Sequence, residues 1–156
     1  MNNLFIICPE CHLELEIQKS FSGEKYYISA LGGLLEFSEF KFTEELNQFI
    51  ISNEIEQVNV ISKCSCTFNK NVIEGKIRDN LEIEHYINEL ANEYIAAASK
   101  EKPLTLTEEL LGELIVNEGM KSWLNSPFIG NKIKDGQIVL KGFVLKKNNR
   151  KEINFK

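Results

Sequence analysis

The sequence predicts a single α/β domain, residues 1–156, with a mostly parallel central β-sheet flanked by helices. Short, continuously apolar runs indicate strands that are buried on both faces, as in a parallel sheet. Segments in which apolar residues recur at every third or fourth position alternate with these runs and indicate amphipathic helices. A chain of 156 residues has the length of one domain and is expected to bury a single core.

Five strands are expected, three in the first half of the chain and two near its end. Pro9 stops the first strand, and the pair Gly32-Gly33 ends the second in a tight turn. The predicted strands are residues 4–7, 26–30, 58–62, 137–145 and 153–155. The basic segment 146–151 is interpreted as a solvated turn between the last two strands, with an anion-binding patch as the lesser alternative.

Three helices are expected between these strands, at residues 43–53, 81–99 and 107–123. Thr43 and Thr107 are suitable capping residues at the start of the first and third helices. Pro103 is expected to end the second helix, since proline cannot continue the backbone hydrogen bonding.

Composition and charge exclude several classes of function. The formal net charge is -5, from 18 Lys and Arg against 23 Asp and Glu, which argues against a nucleic-acid partner. The apolar runs are far shorter than the roughly 20 residues that cross a bilayer, and the first residues lack the basic start of a signal peptide. We therefore expect a cytoplasmic protein with no membrane partner, whose four cysteines stay reduced.

The cysteines follow two of the predicted strands. Cys8 and Cys11 come after the first strand, and Cys64 and Cys66 come after the third. Functional sites of parallel sheets lie beyond the carboxyl ends of the strands, so all four sulfurs meet if these strands are neighbours. Grouped thiolates are typical ligands of Zn²⁺, and His12 is a further candidate ligand or proton acceptor.

Two other interpretations of the cysteines stay open at this point. In the first, they are small apolar core residues that bind nothing. In the second, Cys8 and Cys11 form a reversible disulfide in a thiol redox module.

The order of motifs along the chain resembles that of the β-class carbonic anhydrases. The family's Cys-x-Asp-x-Arg motif after the first strand corresponds to Cys8-Pro9-Glu10-Cys11-His12, and its Gly-His-Thr-x-Cys-Gly motif after the third strand to Ser62-Lys63-Cys64-Ser65-Cys66-Thr67. The second strand ends in Ile28-Ser29-Ala30-Leu31-Gly32-Gly33, where the family has a stretch like Val-Arg-Asn-Ala-Gly-Asn. Segments 123–129 and 140–144 are similar to the closing helix and strand.

The resemblance implies a β-carbonic-anhydrase-like fold, a homodimer, and reversible hydration of carbon dioxide to bicarbonate. It also implies that Cys8 and Cys66 are zinc ligands. Lys63 stands where the family has its ligating histidine, and a protonated amine has no lone pair for a metal. The third ligand is then expected from Cys64, Cys11 or His12.

The catalytic positions implied by the resemblance are Glu10 and His12, which replace the family's Asp-Arg dyad. Glu10 is expected to orient the water or to fill the fourth metal position. With the imidazole ligand and the dyad replaced, we expect activity that is weak or lost. The alternative is an inactive relative whose zinc is structural, or whose site is metal-free, and which serves stability or partner binding.

Overall fold

The apolar runs form five strands of one sheet in a computed structural model that describes residues 1–98, 105–147 and 149–155. The strands are β1 (Asn2–Ile7), β2 (Glu24–Ser29), β3 (Ile55–Lys63), β4 (Val139–Lys146) and β5 (Asn149–Ile153). The helices are α1 (Glu14–Ser20), α2 (Phe40–Ser52), α3 (Thr67–Ile73), α4 (Glu82–Ala98), α5 (Glu108–Asn125) and α6 (Ile129–Lys134).

The sheet has the order β2-β1-β3-β4-β5. The first four strands are parallel, and β5 is antiparallel to β4. In the central register, Leu4 of β1 lies between Tyr26 of β2 and Val58 of β3. Because β1 and β3 are neighbours, the loops after these two strands meet at one edge of the sheet.

Two hydrophobic clusters cover the two faces of the sheet. Phe5 and Ile7 belong to one cluster, while Leu4 and Ile6 belong to the other, because successive side chains of a strand point to opposite faces. Trp123 in α5 is the largest fully buried side chain and packs in the second cluster. No helix among the described ranges is long and apolar enough to cross a membrane.

The predicted α/β class, the parallel sheet and the three longer helices are confirmed, with shifted bounds. Thr107 caps α5 as predicted, whereas Thr43 lies inside α2, whose N-cap is Glu39. Ser99 and Pro103, where the second predicted helix was expected to end, lie outside the described residues. The turn Leu31–Gly33 is also confirmed, with positive φ at Gly32 and Gly33.

The prediction for the end of the chain was wrong in detail. The last strand is Asn149–Ile153 and not residues 153–155, so most of the basic segment belongs to strands. Its charges did not prevent pairing because Lys151 and Lys146 form ion pairs with α5, both of them with Glu109. The short helices α1, α3 and α6 were not expected, since six or seven residues show too little of a helical repeat.

Candidate metal centre

Three cysteine sulfurs lie together at the carboxyl ends of β1 and β3. The Sγ atoms of Cys8, Cys11 and Cys66 are all within 4.8 Å of one another, and those of Cys8 and Cys66 are 3.9 Å apart. The three residues are only 2 %, 5 % and 3 % exposed. Sequence segments that are far apart thus bring three soft donor atoms into one buried cluster, which we call the three-sulfur cluster.

Local backbone structure explains how Cys8 and Cys11 come together. Pro9 begins a single 3-10 turn, Pro9–Cys11, and the amide of Cys11 donates to the carbonyl of Cys8 at 3.0 Å. Proline suits the first position of a helical turn because its fixed φ matches and its missing amide hydrogen is not needed there. One turn therefore returns Cys11 to the side of Cys8.

Cys66 is contributed by the neighbouring strand. It follows β3 after a tight turn in which its amide donates to the carbonyl of Lys63 at 3.0 Å, and it occupies the N-cap position of α3 without a side-chain capping hydrogen bond. Phe68, fully buried in the first turn of α3, anchors that helix in the same cluster as Cys8 and Cys11.

The three thiols hold their protons unequally. Hydrogen bonds from Cys11 and Cys66 lower the pKa of Cys8 to about 3, helped by the backbone amides of Glu10 and Gly32. Hydrogen bonds with Cys66 and Cys8, together with burial, raise the pKa of Cys11 far above its ordinary value. A hydrogen bond with Cys11 lowers the pKa of Cys66, but its bond to Cys8 and burial outweigh this and raise it to about 12. In the metal-free cluster these shifts favour the thiolate form at Cys8 and the protonated form at Cys11 and Cys66.

The cluster fits the donor chemistry and size of a zinc site. With zinc–sulfur bonds of about 2.3 Å, tetrahedral geometry places two ligand sulfurs roughly 3.8 Å apart. The separation of 3.9 Å between Cys8 and Cys66 matches that value. Cys8, Cys11 and Cys66 are the described residues that would hold the ion.

Cys64 lies apart from the three-sulfur cluster. It belongs to the hydrophobic cluster on the other face of the sheet, and its amide donates to the carbonyl of Leu145 in β4 at 3.0 Å. Burial, followed by the charge of Glu109, raises the pKa of its thiol. The structure therefore brings together three of the four predicted sulfurs, because residues 64 and 66 fall on opposite sides of the sheet plane.

Lys63 is held away from any ligand role. Its ammonium forms an ion pair with Glu16 of α1 and donates to the carbonyl of Cys11 at 3.5 Å. The lysine thus links the loop that carries Cys11 to the end of β3. It stabilises the position of Cys11 without supplying an electron pair.

Glu10 and His12 flank the cluster without joining it. His12 is exposed and has a left-handed backbone with φ of 50°. Glu10 is half-buried, and its carboxylate pairs with Arg78, with both guanidinium–oxygen distances at 3.4 Å. Of the described residues, only the three cysteines form the metal-binding group.

Arg78 is a candidate site residue that the sequence did not single out. It lies in the loop between α3 and α4, where no motif marks it, and it bridges Glu10 and the fully buried Glu84. Its guanidinium also lies over the ring of Phe68, 5.3 Å from the ring centre. Burial raises the pKa of Glu84, but hydrogen bonds from Arg78 and Asn71 outweigh it and hold the pKa below the ordinary value.

Comparison with protein-family models gives no match, and comparison with curated proteins gives none. Solved structures do match over nearly the whole chain. A β-carbonic anhydrase of Aspergillus fumigatus aligns with a TM-score of 0.74 at 16 % identity, covering 99 % of this chain and 90 % of that one.

Two further solved structures give the same result. A tetrameric β-carbonic anhydrase of Sordaria macrospora aligns with a TM-score of 0.74 at 15 % identity, over 98 % of this chain and 80 % of that one. A Coccomyxa β-carbonic anhydrase in complex with acetazolamide aligns with a TM-score of 0.70 at 18 % identity, over 97 % of this chain and 71 % of that one. Sheet order, helix placement and this alignment agree: the chain has the β-carbonic anhydrase fold, with a cluster of three cysteines at the carboxyl ends of its central strands.

Proposed function

We propose that this protein is a carbonic-anhydrase-like zinc protein in which Cys8, Cys11 and Cys66 hold one Zn²⁺, and that it hydrates carbon dioxide reversibly but slowly. The observation that supports this is the position of the three-sulfur cluster, at the carboxyl ends of β1 and β3 in a β-carbonic anhydrase fold. Three protein ligands leave one tetrahedral position for water, as catalytic zinc sites do.

The slow rate follows from the donor set. Bound zinc supplies a Lewis acid that lowers the pKa of water towards neutrality. Three thiolates bring one more negative charge than two thiolates and an imidazole, and so they weaken this effect. We therefore expect hydration to be weak at neutral pH and to rise towards alkaline pH.

Glu10 and His12 are proposed to act around the metal. Glu10 lies between two of the ligands in sequence and its carboxylate pairs with Arg78; we propose that it accepts a hydrogen bond from an entering water. His12, exposed on the same loop, is proposed to accept a proton and release it to solvent.

Metal analysis and stopped-flow carbon dioxide hydration test this proposal. We expect close to one zinc per chain after expression with adequate zinc, and hydration above the buffer rate at pH 9. Cys11→Ser removes a ligand and is expected to lose zinc, whereas Cys64→Ser changes a buried cysteine outside the cluster and is expected to keep it. Less than about half an equivalent of zinc in the unmodified protein would refute the proposed site.

A structural zinc is the second candidate, and the burial of the three sulfurs favours it. Exposures of 2–5 % leave little room for exchange with bulk water. In this case a chelator lowers Tm strongly while hydration is indistinguishable from buffer with zinc bound. Carbon dioxide hydration that is lost when zinc is removed and restored when zinc is added back would exclude this candidate.

We also propose that the protein is a homodimer in the cytoplasm, whose reducing conditions keep the cysteine ligands from forming disulfides. Exposed aromatic and aliphatic side chains support self-association, among them Leu31, Phe40 and Phe128; the rings of Phe40 and Phe128 lie 5.6 Å apart. Sedimentation equilibrium tests the dimer: a mass of one chain, 17.9 kDa, at micromolar concentration would refute it.

A further inference from the structure

The donor set of the three-sulfur cluster is unusual for zinc, because zinc sites made of sulfur alone ordinarily have four cysteines and this one has three. Cys8, Cys11 and Cys66 are the whole of the metal-binding group found among residues 1–98, 105–147 and 149–155. The neighbouring polar side chains do not complete a tetrahedron. Lys63 is paired with Glu16, and the carboxylate of Glu10 is paired with Arg78.

Metal ions differ in what they require from such a site. Zn²⁺ prefers four ligands, so here it must recruit water or another donor in a buried pocket. Cuprous copper, Cu(I), is softer, selects thiolates strongly, and is saturated by three of them. We infer that the three-sulfur cluster binds Cu(I) in preference to zinc, as a three-coordinate thiolate complex, so that Cu(I) displaces the zinc whose binding we propose above.

The distance between the Cys8 and Cys66 sulfurs is too short for a linear, two-coordinate copper complex. A linear sulfur–copper–sulfur unit spans twice the metal–sulfur bond, or roughly 4.5 Å, whereas a trigonal arrangement needs about 3.9 Å. Cys8 and Cys66 are 3.9 Å apart, and Cys11 lies within 4.8 Å of both. A separation of 3.9 Å suits tetrahedral zinc and trigonal copper alike, so the preference for Cu(I) rests on the number of sulfurs, with Cys11 as the third ligand.

The surroundings favour a thiolate complex that carries negative charge. Backbone amides of Glu10 and Gly32 donate to the sulfur of Cys8, and the amide of Phe68 donates to that of Cys66. These hydrogen bonds disperse charge on the sulfurs. When Cu(I) binds, the remaining thiol protons leave to solvent and no electron is transferred.

Anaerobic titration of the zinc-loaded, reduced protein with Cu(I), buffered by a chromophoric Cu(I) chelator, tests the inference. We expect one Cu(I) bound and one zinc released per chain, with the zinc detected by a colorimetric zinc indicator. X-ray absorption at the copper edge is expected to show three sulfur neighbours. Cys11→Ser is expected to weaken Cu(I) binding at least tenfold, and Cys64→Ser to leave it unchanged.

Each outcome bears on the inference. Zinc that stays bound in the presence of equimolar Cu(I) overturns it, and so does a copper centre with two sulfurs or a Cys11→Ser variant of unchanged affinity. The absorption measurement uses the unmodified protein and does not depend on how the variants fold. Zinc binding with carbon dioxide hydration but no copper exchange refutes this inference alone; Cu(I) binding by a protein that never holds zinc refutes the proposed function and leaves the trigonal copper site standing.

Discussion

The guanidinium of Arg78 lies 2.6 Å from the carboxylate of Glu84, a residue with no exposed surface in the first turn of α4. Glu84 also accepts hydrogen bonds from Asn71 and from the backbone amide of Arg78. A buried carboxylate is tolerated only when its charge is compensated in this way. The pair therefore fixes the loop that carries Arg78, and through it the position of Glu10.

This arrangement predicts unequal effects at the two carboxylates that Arg78 contacts. Glu84→Gln is expected to cost about 2 kcal/mol of unfolding free energy at pH 7, because charged, buried hydrogen bonds are lost. Glu10→Gln removes a half-exposed pair with longer distances and is expected to cost about 0.5 kcal/mol. Urea unfolding of both variants measures the difference, and equal losses would contradict the assignment of Glu84 as the anchor.

The Glu84 effect should also depend on pH. The pKa of Glu84 is held below its ordinary value of 4.5, so its charge stabilises the fold fully above about pH 4.5, and this contribution is lost as the pH falls further. The gap in stability between the unmodified protein and Glu84→Gln is thus expected to narrow below pH 4.5. A gap that widens on acidification would show that the carboxyl is protonated in the folded state.

The metal-free protein is expected to be most stable near pH 9. Cys8 has a pKa lowered from 9.0 to about 3, so it stabilises the fold above pH 9 and loses this effect as the pH falls. The pKa of Cys66 is raised from 9.0 to about 12, and the pKa of Cys11 is raised as well. These two thiols therefore stabilise the fold below pH 9, and their contribution is lost as the pH rises. Thermal unfolding from pH 6 to 11 after chelation measures this. A flat profile in this range would argue that the thiols do not share protons.

Exchanging one ligand tests why activity is expected to be weak. The double variant Lys63→His with Cys11→Ser replaces a thiolate by an imidazole at the end of β3. If the zinc keeps its other two sulfur ligands, the net charge of the zinc site becomes less negative. We then expect the rate of hydration to rise at least tenfold at pH 7, and its pH dependence to shift towards lower pH. Cys11→Ser alone is the control. No gain in a double variant that binds zinc would place the defect at Glu10 and His12.

Gly32 is predicted to be important for zinc binding by the three-sulfur cluster, and Gly75 provides a matched control. Both have positive φ, 67° and 66°, so alanine pays a backbone cost of roughly 1 kcal/mol at either position. At Gly32 an added Cβ would also lie 2.9 Å from a carbon of Ile83, whereas at Gly75 nothing lies within 4 Å. Because the amide of Gly32 donates to Cys8, Gly32→Ala is expected to weaken zinc binding, and Gly75→Ala is not. Equal zinc affinities in the two variants would contradict this role.

The sequence predicts the fold well because the features that define it are local. The run Leu4 to Ile7 is short and continuously apolar, as expected of a buried strand, and it places Cys8 at a strand end; β3 does the same for Cys66. It was harder to predict which of the four cysteines face the three-sulfur cluster. Whether residue 64 or 66 faces the cluster depends on how the chain turns after Lys63, and no residue type in that segment specifies the turn.

Arg78 illustrates what sequence reasoning cannot reach. Its partners, Glu10 and Glu84, become neighbours only after the loop between α3 and α4 has packed against the turn that carries Cys11. A charged residue in a loop is ordinarily solvated, so the pattern gives no reason to select it. The role is defined by the complete burial of Glu84, which is a tertiary property.

The separation of Cys64 from the three-sulfur cluster gives the molecule two independent chemical reporters. One lies at the metal-binding end of the fold, and the other lies between β3 and β4 on the opposite layer, against the start of α5. Alkylation kinetics read by peptide mass spectrometry would follow the two separately: protection of Cys8, the thiolate of the metal-free cluster, records metal occupancy, while loss of protection at Cys64 records opening of the sheet. Loss of the ion and loss of the fold are thereby distinguishable within a single unlabelled chain.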